Sequence, residues 1–333
     1  MITACRTGVE VAGIGSHAPG RIMTNDELAT MVETSDEWIS SRTGIRERRI
    51  AASHESSAGL GAEAAARALE NAGVTAGDLD LIVVATASPD YYFPATAALI
   101  GERLGARGVA GYDLSAACTG FIYALAQAYG QVAAGLADAA LVVGTEVFSR
   151  LLDWTDRSTC VLFGDGAGAV VVTQNGSTTG LLGFELGTDG SGAELLKVAA
   201  AGHEAEGAAS PYVLMDGAQV YKFATTVSVD SASRVLAAAG LDVADVDVFV
   251  PHQANRRIID HAARRLGLPP ERVVTNVDRY GNTSAASIPI CLDEAYRGAR
   301  LGPGDIVLMT GFGGGLSWGS CVMEWTIPLK ESR

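Results

Sequence analysis

Short, almost purely apolar runs punctuate the chain at regular intervals. LDLIVVATAS (79–88), ALVVGTE (140–146), GAGAVVVTQ (166–174), VDVFVPHQA (246–254), DIVLMTG (305–311) and WGSCVMEWTI (318–327) are too short for buried helices and rich in β-branched residues. Such runs indicate strands covered on both faces. Between them lie alanine-rich segments such as FIYALAQAYGQVAAG (121–135), which read as helices. Strands buried on both faces and alternating with helices predict a layered α/β fold. The last strand of each series, GAGAVVVTQ and WGSCVMEWTI, is expected at a sheet edge.

The pattern occurs twice. RALENAGVTAGDLDLIVV (67–84) resembles RVLAAAGLDVADVDVFVP (234–251), with Gly73 and Gly240, Asp78 and Asp245, and Asp80 and Asp247 each 167 residues apart (240 − 73). Ala128-Tyr129 and Ala295-Tyr296 keep that separation, as do Leu141 and Gly144 with Leu308 and Gly311. One offset held in register over so long a stretch predicts an internal duplication, with halves of roughly 1–175 and 176–333.

The offset changes the reading of one cysteine. Cys118, in SAACTGF, opens the helical run, and its counterpart 167 residues on is Ala285. The duplicated helix therefore packs without sulfur. At a helix start, unpaired N–H groups favour thiolate over thiol, and Ala116, Ala117 and Gly120 leave room for an acyl group. Strand VDVFV ends in His252, where α/β folds place chemistry, or where a core histidine is simply satisfied. Asn282, in YGNTSAAS, is either an N-cap or a third functional group at an equivalent loop end. GFGGGLSWG (311–319) is a tight hairpin, or a bare backbone able to bind an oxyanion. Gly13-Ile-Gly15-Ser-His-Ala18 matches a dinucleotide fingerprint, but Pro19-Gly20 forbids the helix it must open.

Composition narrows the classes. The chain has 333 residues, 48% of them hydrophobic, enough for a large core and against disorder. Five scattered cysteines without a CxxC pair suggest neither a disulfide framework nor a metal site, and fit a reducing cytoplasm. No export signal or membrane span is read. A net charge of −14 argues against nucleic acid, and demands a local basic patch if an acidic protein is to dock. Arg257, His261 and Arg264 supply one candidate on a single helical face, unless that face is merely solvated.

Six segments in order, TSDEWISSRTGIRERRIA (34–51), DLSAACTGF, DWTDRSTCVLFGDGAGA (153–169), VPHQANRRII (250–259), YGNTSAAS and GFGGGLSWG, make the chain resemble the 3-oxoacyl-[acyl-carrier-protein] synthase III family of the thiolase-like superfamily. The resemblance implies a duplicated five-layered αβαβα fold with two mixed sheets, and a homodimer. It implies a decarboxylative condensation of an acyl-CoA primer with malonyl carrier protein, with no permanently bound cofactor. The family's triad maps onto Cys118, His252 and Asn282, and its oxyanion hole onto the backbone of Cys118 and Gly314. Trp38, Arg42 and Arg157 match its CoA contacts, while Phe93 and Phe312 match acyl-pocket positions, Phe93 crossing between subunits. Gln253, Ala254, Asn255, Arg256, Arg257 and Lys222 match its carrier-docking region. Ala218 departs from the asparagine often found there, and Tyr91-Tyr92 and VAAAGHEAEGAASPY (198–212) are unusual, which leaves the primer open. Two other roles stay in view: a paralogue priming a polyketide or acylating another acceptor, and a catalytically silent acyl-binding partner.

Overall fold

The structure is a computed structural model that describes residues 1–5, 8–176, 178–200 and 210–329; most of the unusual segment 198–212 lies outside the described residues. In chain order the sheet strands of the first part are β1 (Ile2–Ala4), β2 (Val9–His17), β3 (Leu81–Ala85), β4 (Ala110–Leu114), β5 (Ala139–Glu146) and β6 (Gly166–Gln174). They are followed by β7 (Leu181–Thr188), β8 (Val248–Pro251), β9 (Ile306–Gly313) and β10 (Ser317–Glu324). The principal helices are α1 (Asp36–Thr43), α2 (Ser57–Ala72), α3 (Thr96–Leu104), α4 (Gly120–Ala133), α5 (Gly217–Ala239), α6 (Arg256–Leu266) and α7 (Ser287–Arg297).

Two five-stranded sheets result, ordered β2-β6-β5-β3-β4 and β1-β7-β10-β9-β8. Both are mixed: β5 runs parallel to β3 and antiparallel to β6, and β9 runs parallel to β8 and antiparallel to β10. Every residue of β3 and β5 is buried, as apolar runs without alternation require. Helices α2 and α3 cover the outer face of the first sheet, α5 and α6 that of the second, and α4 and α7 lie between the sheets. This is a five-layered αβαβα arrangement.

The 167-residue register survives in three dimensions. Helices α2 and α5 end on twin glycines, Gly73 and Gly240, at φ 66° and 75°; only glycine enters that left-handed cap without strain. Strands β5 and β9 begin and end 167 residues apart. Two expectations need comment. GAGAVVVTQ and WGSCVMEWTI are interior strands, not edges, because β2 and β7 each add antiparallel on their outer side. The glycines of the GIGSHA stretch serve packing: a Cβ at Gly13 would stand 2.4 Å from Ala68 O on α2, and one at Gly15 2.6 Å from Ala64 O.

Candidate active site

Two tight turns meet back to back at the molecular centre. Residues Ala117–Thr119 precede α4 and Ser284–Ala286 precede α7, each entered through a non-glycine residue at positive φ, Ala117 at 46° and its twin Ser284 at 48°. This strained backbone is uncommon for L-residues and persists only where surrounding structure enforces it. It turns Cys118 into a cavity of about 90 Å³, large enough for several water-sized groups.

Cys118, His252, Asn282, Ala254, Asn255 and Phe312 all line that cavity, together with Phe163, Leu196, Val220 and Ile258. The lining is largely apolar, so the few polar atoms stand out. His252 is 1% exposed; its Nδ1 meets Ser287 Oγ at 2.5 Å and its ring packs edge-on against Phe312 at 5.2 Å. Gln253 N–H points at the same Ser287 oxygen at 3.5 Å, which directs the hydroxyl proton to Nδ1 and assigns the ring hydrogen to Nε2. That Nε2 has no hydrogen-bond partner among the described residues. Burial holds the His252 pKa down to about 3, so the ring is neutral. Asn282 Oδ1 accepts from Ser284 N at 2.8 Å, which orients its amide.

The Cys118 thiol corrects the sequence expectation. Burial pushes it up to about 12; Ser284, Asn282 and its own backbone N–H pull down, while the Glu146 carboxylate pushes further up. Desolvation outweighs the helix start, because a charge without water costs more than a few aligned N–H groups return. Gly313, at the end of β9, lies closest to the cysteine backbone: a Cβ there would stand 2.7 Å from Cys118 N. Gly314, the residue expected at the oxyanion position, opens the hairpin turn one step further along.

The other expected residues divide into groups. Trp38 on α1 carries Arg42 and Arg157, both 4.8 Å from its ring centroid, and Arg157 Nη1 donates to Glu33 O at 3.0 Å. Inserting a flat ring between Trp38 and Arg157 requires the arginine to swing outward. Asn255 joins this platform to the cavity, since its Nδ2 donates to Arg42 O at 3.2 Å while Oδ1 caps α6. Arg257 stands over Tyr221 at 5.5 Å beside exposed Lys222, at the cavity rim, and Arg256 bonds Asp260. Gln253 cannot meet a partner protein. It is 1% exposed, its Nε2 donating to Pro251 O and Val274 O and its Oε1 accepting from Asn276 N. Phe93 does not line the cavity and is 86% exposed within Tyr91-Tyr92-Phe93. Ala218 is exposed at the start of α5, beside Gly217 of the cavity wall.

Sequence reasoning missed Ser287, Ser284 and Glu146. The signal for Glu146 was a carboxylate closing the otherwise apolar run ALVVGTE; it is fully buried, and burial pushes it up to about 7.

Comparison with known proteins decides the family. Residues 112–190 match the model of 3-oxoacyl-[acyl-carrier-protein (ACP)] synthase III, and residues 236–325 match that of its C-terminal part. A beta-ketoacyl-[acyl-carrier-protein] synthase III of Desulfitobacterium hafniense is 50% identical over 324 residues, 96% of this chain and 98% of the relative. The chain belongs to the 3-oxoacyl-[acyl-carrier-protein] synthase III family. Among solved structures, the family member from Aquifex aeolicus superposes with a TM-score of 0.91 at 44% identity, covering 96% of this chain and 100% of that one. A priming beta-ketosynthase from the R1128 polyketide biosynthetic pathway superposes at 0.92 with 40% identity, covering 97% and 98%. Synthases III are condensing acyltransferases, and the thiolase-like fold is common to all three relatives.

Proposed function

We propose that this chain condenses an acyl-CoA primer with malonyl carrier protein through an acyl-Cys118 intermediate. The observation that carries the reading is the convergence of Cys118, Asn282 and the unpartnered Nε2 of neutral His252 in one apolar cavity. Cys118 attacks the thioester and CoA leaves with the bonding electrons. The backbone N–H of Cys118, with that of Gly313 or Gly314 beside it, offers hydrogen bonds to the oxyanion. After malonyl carrier protein enters, carbon dioxide departs and an enolate forms. His252 Nε2–H and the Asn282 amide stabilise its oxygen; both donate while uncharged and so supply no acid to quench the carbanion. The enolate then attacks acyl-Cys118.

Around this centre, Trp38, Arg42 and Arg157 would hold the CoA nucleotide, and Arg257 with Lys222 the acidic carrier protein. The chemistry asks for no bound metal or cofactor. We further propose a cytoplasmic homodimer in which the exposed Tyr91-Tyr92-Phe93 strip meets the other subunit, and an origin of residues 1–175 and 176–333 by duplication. Priming of a polyketide is the second reading, supported by the 40% identical relative.

Intact-mass measurement after mixing with acetyl-CoA tests the core of the proposal. One acyl adduct is expected on the protein and none on Cys118→Ala; an adduct that persists on the variant removes Cys118 from its role. A panel of straight, branched and longer acyl-CoAs then separates the two pathways.

A further inference from the structure

We propose that Cys118 and Glu146 share a single proton through the hydroxyl of Ser284, so that Glu146 stores the thiol proton while Cys118 carries an acyl group. The proposal rests on the reading of Cys118 as nucleophile. Glu146 closes β5 directly beneath the two turns. Both its oxygens accept from Ala87 N at 3.1 Å, Oε2 accepts from Ser88 Oγ at 2.6 Å and Thr86 Oγ1 at 3.4 Å, and Oε1 accepts from Ala285 N at 3.4 Å. The groups facing it are thus neutral donors from the loop after β3 and from the 284–286 turn, together with the thiol; none of these is a cation.

Ser284 is the connecting group. Its buried Oγ makes no hydrogen bond of standard geometry, yet it acts on both the Cys118 thiol and the Glu146 carboxylate. The two observations agree if the hydroxyl sits between the pair without being committed to either. A buried site with two negative charges is far costlier than one with a single charge, so the pair must titrate together. In the step, the Cys118 S–H bond breaks and its proton passes to Ser284 Oγ, whose own proton passes to Glu146. A thiolate and a neutral carboxylic acid result, and the site's charge stays at minus one. When condensation releases the Cys118 sulfur with its electron pair, the proton returns by the same route. His252 is a poor store for it, since burial holds the imidazole neutral.

The duplication supplies the control. The twin of Ser284 is Ala117, at nearly the same φ, so Ser284→Ala removes the hydroxyl from a backbone already known to accept alanine. The experiment follows Cys118 alkylation by iodoacetamide, read by intact mass from pH 5.5 to 9.5, in the unaltered protein, Glu146→Gln, Ser284→Ala and the double variant. The unaltered protein should show a rate that rises with pH and flattens above about 7. Glu146→Gln should lose that break and keep rising about tenfold per pH unit. Ser284→Ala should slow alkylation several-fold in the unaltered background but leave the Glu146→Gln rate unchanged. A break retained in Glu146→Gln, or equal slowing by Ser284→Ala in both backgrounds, overturns the proposal. If Glu146→Gln does not fold, Glu146→Asp replaces it: a displaced break supports sharing and an unmoved one overturns it. Acylation by acetyl-CoA is scored separately, so a protein that alkylates as described but takes no acyl group at Cys118 refutes the nucleophile reading and leaves the proton arrangement standing.

Discussion

The turn carrying Cys118 and the turn carrying Ala285 are the same piece of backbone used twice. Each is entered through a left-handed residue, each opens a helix that lies between the sheets, and they touch across the molecular centre. Their side chains differ at every position where chemistry is proposed. Cys118 faces alanine at 285, His252 faces Ala85, and Glu146 at the end of β5 faces Gly313 at the end of β9. Duplication thus supplied a rigid frame, and divergence put the nucleophile and carboxylate in one copy and the two neutral donors in the other.

Exchanging residues between the twins breaks that comparison most severely. Cys118→Ala should lower condensation by more than about 10³-fold, and adding Ala285→Cys should not restore it, because the second thiol lacks the facing histidine and asparagine. Steady-state turnover with acetyl-CoA and malonyl carrier protein reads both. A smaller effect separates the twin glycines. A Cβ at Gly144 would lie 2.4 Å from Ala285 O, whereas one at Gly311 meets nothing closer than 3.5 Å. Gly144→Ala should cost roughly 1–3 kcal/mol or more in denaturant unfolding, and Gly311→Ala much less. Equal costs would refute the asymmetry of packing at the turns.

The histidine offers a test by acidity. Its folded pKa of about 3 lies below the ordinary value of 6.5, so the unfolded chain binds the proton first as pH falls. The protein should therefore lose stability between about pH 6.5 and 3, by at most about 1.4 kcal/mol per unit from this group. His252→Ala, which installs the residue of the twin position, should flatten that part of the curve in melts recorded across the range. The smallest effect is at the rim. Arg257→Glu should raise KM for malonyl carrier protein about tenfold with little change in kcat or in acylation by acetyl-CoA; an unchanged KM removes the docking assignment.

Much of the frame was legible in the chain because repetition is a property of spacing. The 167-residue offset located the twin glycine caps and placed Cys118, His252 and Asn282 at equivalent loop ends before any coordinate was known. What failed depended on surroundings. GAGAVVVTQ looks the same whether or not another strand pairs outside it, and the amide of Gln253 reads as a surface group until its three buried partners are seen. The thiol was misjudged for the same reason: a helix start is visible in sequence, but the absence of water around it is not. Glu146 escaped notice because a carboxylate at the end of a strand ordinarily reaches solvent.

The shortest strand has a bearing on how the molecule is made. Ile2–Ala4 pairs with Gly183–Glu185 in the second sheet, although β2, the next strand along the chain, belongs to the first. At about 5–20 residues per second, its partner leaves the ribosome roughly 10–40 seconds after it does. During synthesis the first sheet can close while this strand hangs free, and its docking must wait until β7 has emerged.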